Sequence, residues 1–137
     1  MKNKTFISII GVLIALVMVF FFEMNNNKPT NKDILMYVLN GKKYRLLIAD
    51  TTEKWEKGLM YYRKLKEADG MIFLFPEKSM KTFWNKNTFM DLNLYWLDDD
   101  RITGQSFLPS IEKSGEIVVV SSQEKVNKVV ELVVNRQ

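Results

Sequence analysis

Asn85, Lys86, Asn87 and Thr88 follow one another directly behind Trp84. Two amides, an ammonium and a hydroxyl in so short a stretch can hold a polar or anionic ligand. The same residues can also form a turn, because Asn tolerates left-handed backbone and hydrogen-bonds its own main chain. The turn reading accounts for the amides and Thr88 but leaves Lys86 and Trp84 unexplained. Arg63 is a further candidate, since a guanidinium grips a carboxylate or phosphate with two parallel hydrogen bonds. It could equally pair with Asp50 or with a helix C-terminus. A hydrolytic alternative uses Asp50 or Asp91 as base and Lys86 to stabilise developing charge, with an envelope glycan as substrate. Such chemistry needs two carboxyl groups at a defined separation across a cleft. Trp55, Trp84 and Trp96, with Tyr61 and Tyr62, make either a stacking platform or part of the core.

The 137 residues include no histidine and no cysteine. The chain therefore lacks a Ser-His-Asp triad, a thiol nucleophile, disulfides and the usual nitrogen and sulfur ligands of zinc, haem or iron–sulfur centres. No metal or other cofactor is expected. Asp98-Asp99-Asp100 reads as a solvated hairpin tip rather than a calcium loop, which draws ligands from several further positions. Twenty basic and sixteen acidic residues are interspersed rather than striped, which argues against a nucleic-acid partner.

The elements that must place these side chains are short. The strand-like runs 34–39 and 42–49 lie on either side of Asn40-Gly41, a strong hairpin signal. Asp50 is expected to cap a short helix, with Glu53 in capping-box spacing and Gly58 closing it. MIFLF is a buried-looking strand stopped by Pro76. From Met90 to Leu97 apolar and mixed positions alternate, and strands at RITGQSFL, EIVVVSS and VNKVVELVV complete the chain. These elements predict a mainly β (α+β) fold: six or seven strands, all antiparallel, in a compact barrel-like domain with one short helix.

The ordered motifs Gly58-Leu59-Met60 with Arg63, Gly70-Met71-Ile72-Phe73-Leu74-Phe75, and Phe83-Trp84-Asn85-Lys86-Asn87-Thr88 resemble those of the domain-of-unknown-function family 192. The resemblance covers about residues 36–134. It implies a small, often exported prokaryotic protein with a β-barrel-like domain, and no particular activity. Where the family usually has Pro-Leu-Asp after its KNT motif, this chain has Asp91-Leu92-Asn93, so a carboxylate expected at 93 is an amide.

Before the domain, residues 6–22 carry no charge and follow Lys2 and Lys4. As a helix they would span roughly 26 Å, close to a hydrocarbon core of about 30 Å. The run ends in three Phe without a small-residue cleavage site, which favours an uncleaved anchor over a removed signal. The expected organisation is an anchor at 1–24, entering the membrane through residues 5–22, a polar linker at 25–33 and a β-rich domain at 34–137. The positive-inside rule puts that domain on the extracytoplasmic side of a single-pass cell-membrane protein. The expected function is non-catalytic binding of a small polar or anionic ligand, or of a cell-envelope partner, through Asp50, Arg63, Trp84, Lys86, Asn87 and Thr88.

Overall fold

The computed structural model describes residues 33–134. The expected anchor and all of the linker except Asp33 lie outside them, as do residues 135–137. Among the described residues no helix is long and apolar enough to cross a membrane.

The element order is β1 (Ile34–Leu39), β2 (Lys42–Ala49), α1 (Thr52–Lys57), β3 (Gly70–Ser79), β4 (Thr82–Trp84), β5 (Leu92–Asp98), β6 (Arg101–Leu108), α2 (Ile111–Ser114), β7 (Val119–Ser121) and β8 (Val126–Val133). Six strands form one sheet in the order β1-β2-β3-β8-β5-β6, and β4 pairs with β7 in a separate ribbon. The fold is mainly β, as expected, but the barrel is not closed, because the edge strands β1 and β6 share no ladder. Tyr37 on β1 still donates to Asp100 in the β5–β6 turn at 3.2 Å, so the sheet coils far enough to bring its two margins together there.

Asn40 and Gly41 both have positive φ (51° and 77°), the backbone that a two-residue hairpin demands, and Leu39 pairs with Lys42 as expected. Four local expectations need correction. First, β2 and β3 are parallel, because the connection from residue 50 to 69 is long enough for a crossover and carries α1 within it. Second, Thr51 rather than Asp50 caps α1, its Oγ1 accepting from Lys54 N at 3.4 Å, whereas Asp50 pairs with the Lys54 ammonium at 3.0 Å. Third, β3 runs through Pro76 to Ser79. Its pairing with β8 breaks between Leu74 and Ser79, so the missing N–H costs no ladder bond. Fourth, the described residues form eight strands, the short β4 being unforeseen, and the single turn α2 joins the expected helix.

Both faces of the sheet are buried. One face carries Leu47, Met71, Phe73, Leu92, Leu94 and Trp96, covered by Trp55, Leu65 and the β4–β7 ribbon. Phe83 from that ribbon packs edge-on against Phe73 (4.8 Å between centroids) and Trp96 (5.6 Å). The other face carries Leu46, Ile72, Leu97, Val130 and Leu132 inside the curve. Gly70 permits the close approach of β3 to β8, since a Cβ there would sit 1.8 Å from the Glu131 carbonyl oxygen.

Candidate functional site

The polar knot at 85–88 is held from within. Asn85 is fully buried, and its Nδ2 donates to Pro109 O (3.0 Å), Ser114 Oγ (2.9 Å) and Glu116 O (3.3 Å) while its Oδ1 accepts from Val118 N (2.8 Å). One amide thus fastens the 109–118 segment to the body of the domain. Thr88 is also buried, donates to Lys86 O at 3.3 Å, and accepts Ile111 N on its carbonyl. Asn87 takes left-handed backbone (φ 53°) and meets Tyr61 twice: its carbonyl accepts from Tyr61 N and its Nδ2 donates to the Tyr61 hydroxyl. These three residues build the turn.

Trp84 and Lys86 point outward. Trp84 remains 48% exposed, directly opposite the exposed Val119, and the Lys86 ammonium lies 5.2 Å from its ring centroid. Trp55 and Trp96 belong to the core layer, their indole N–H groups bonded to Ala49 O and Ser106 Oγ. The three tryptophans therefore form no common platform. Asp50 and Lys54 pair at the start of α1.

Arg63 lines a groove of about 830 Å³, whereas Asp50, Trp84, Lys86, Asn87 and Thr88 do not. Its guanidinium lies 4.2 Å from the Phe89 ring centroid and bonds Glu112 at 3.0 Å. Arg45, Lys64, Lys66 and Lys113 share the groove wall, with Asp69, Asp91 and Glu112 as the acids. Lys113 is engaged with Asp91 at 3.1 Å. Asp69 receives the Arg45 backbone N–H at 2.8 Å, but the Arg45 guanidinium and the Lys64 and Lys66 ammonium groups make no ion pair among the described residues. Burial pushes the Asp91 carboxyl up. The Ser110 N–H and the Lys113 ammonium outweigh that and hold it below the usual carboxylate range.

Sequence reasoning missed Arg45, Lys64, Lys66 and Lys113. The run Arg63-Lys64-Leu65-Lys66 was the available signal, three cations in four positions of a connection. It also missed Glu131, which lies on β8 between Met71 of β3 and Leu94 of β5, both core residues. Glu131 is 4% exposed, its Oε2 has no hydrogen-bond partner among the described residues, and burial pushes its carboxyl up to about 8.

Two solved structures share this arrangement of elements. A putative transcription regulator from Sinorhizobium meliloti 1021 is 28% identical, with a TM-score of 0.58 over 73% of this chain and 78% of its own. A protein of unknown function from Novosphingobium aromaticivorans DSM 12444 is 21% identical, with a TM-score of 0.56 over 78% of this chain and 87% of its own, and speaks for the fold alone. No curated protein matches. The model of the domain-of-unknown-function family 192, described as Uncharacterized ACR, matches residues 36–136. That match takes in all three motifs and nearly the whole β domain, and the chain belongs to this family.

Proposed function

We propose that this protein is a membrane-tethered, extracytoplasmic binding domain whose ligand is a small anionic molecule, or an anionic group of a cell-envelope partner, taken in the groove beside Arg63. The observation that carries this reading is the set of three cations, Arg45, Lys64 and Lys66, gathered on one concave wall without ion pairs among the described residues. Like charges held together cost folding energy, and such a cost is characteristic of residues retained for binding. The catalytic alternative has less support. Asp91 is committed to Lys113 and Ser110 and is stabilised as the carboxylate, so it is a weak base, and Asp50 lies outside the groove lining. The regulator label of the Sinorhizobium protein is not carried over, because the charges of this chain are interspersed and nearly balanced.

Lys64→Glu combined with Lys66→Glu is expected to weaken binding of small phosphates and carboxylates at least about tenfold in calorimetric titrations at low salt, with raised salt weakening the wild type. Lys86→Ala is expected to leave binding unchanged. Equal affinity for the wild type and the double variant would remove the groove from consideration.

The tether has its own test. Full-length protein is expected in the membrane fraction with its first residues retained, and protease added to spheroplasts is expected to digest the domain. A soluble form beginning near Met24 would overturn the anchor.

A further inference from the structure

Besides its charged and polar residues the groove has an apolar part to its lining. Leu65, Ala68, Met90 and Val133 line it, and each belongs to or packs against the core layer on that face of the sheet. Phe89 and Val134 extend the apolar lining. The groove therefore combines two kinds of lining: the cations Arg45, Lys64 and Lys66, and apolar side chains that belong to or pack against the hydrophobic core. Its volume of about 830 Å³ far exceeds what an inorganic anion fills and is typical of sites for molecules with a carbon skeleton. A wholly hydrophilic anion would leave these apolar side chains in contact with water, whereas an apolar segment seated on them would remove surface from water on both partners.

Resting on the anion-binding reading above, we infer that the ligand is amphiphilic: one phosphate or carboxylate held by Arg45, Lys64 and Lys66, and a short apolar chain lying on Leu65, Met90 and Val133. Arg63 and Lys113 also line the groove but are occupied by Glu112 and Asp91, so the head group falls to the three cations that no acid among the described residues claims. A lipid head group with the first carbons of its chains and a soluble alkyl acid share this chemistry.

The test titrates inorganic phosphate and ethyl, butyl and hexyl phosphate into the full-length chain held in phosphatidylcholine nanodiscs, with empty discs subtracted. Affinity is expected to rise at least about threefold for each added pair of methylenes, because each buried methylene favours binding. Leu65→Ser is expected to flatten that rise. If all the phosphates bind equally, the amphiphile inference fails and the anion groove stands. If none binds, both fail. Phosphatidylglycerol discs supply the other source: loss of hexyl phosphate binding in them identifies a membrane head group as the occupant, and undiminished binding identifies a soluble amphiphile.

Discussion

Glu131→Gln is expected to abolish most of the loss of stability that the domain suffers as the pH rises from about 5 to about 8. In the folded chain this carboxyl is raised to about 8 by burial, against an ordinary value of 4.5. Between those limits the folded state binds a proton that the unfolded state has released, so stability falls with rising pH. At 1.36 kcal/mol per pH unit, the full interval corresponds to a cost on the order of 5 kcal/mol above pH 8. The side chains facing Glu131 across the neighbouring strands are Met71 and Leu94, and among the described residues no cation forms an ion pair with it to offset the charge. Glutamine keeps the shape and polarity without the titration. The variant should therefore match the wild type near pH 5 and melt higher by about 10 °C or more at pH 8.5. Calorimetric scans from pH 5 to 9 supply the comparison. Parallel melting curves for the two proteins across that range would show that Glu131 is solvated or paired, contrary to its place in the core.

The other large effect is expected at Asn85. Truncation to alanine leaves the Val118 N–H and the Pro109 carbonyl without their partner inside the protein, and frees Ser114 and Glu116 from the same amide. Each orphaned buried group costs about 1–3 kcal/mol, which puts Asn85→Ala at roughly 3–5 kcal/mol in urea unfolding. Asn85→Asp is informative because it keeps the acceptor for Val118 but turns oxygens toward the oxygens of Pro109, Ser114 and Glu116. It should destabilise comparably. Hydrogen exchange should quicken first across residues 109–118, the segment that this amide holds. The exposed Lys86 next to it supplies the contrast, since Lys86→Ala should stay within about 0.5 kcal/mol. A loss below about 1 kcal/mol for Asn85→Ala would mean that the segment is fastened elsewhere.

The two positions divide the legible from the illegible. Features that depend on near neighbours were legible along the chain. Asn40-Gly41 dictated a hairpin because both residues accept left-handed backbone, and alternation placed Leu92, Leu94 and Trp96 on one face of a strand. The absence of histidine and cysteine bounded the chemistry, and the ordered motifs around Gly58, Gly70 and Trp84 indicated the family. Even the turn character of Asn87 and Thr88 was readable, because those bonds close within a few residues or arise from backbone preference. Local patterns do not say which strand lies beside which. The parallel pairing of β2 with β3 and the insertion of β8 between β3 and β5 follow from how two buried faces are covered at once. That topology gathered Arg45, Arg63, Lys64, Lys66, Lys113 and Val133 around one groove from four separate stretches of chain, while directing Trp84 and Lys86 outward. It also enclosed Glu131 among apolar neighbours and gave Asn85 partners 24 to 33 residues away. Burial and hydrogen-bond partnership are properties of the assembled neighbourhood, so which polar residues hold the architecture together and which line the groove emerges on folding and not from local pattern.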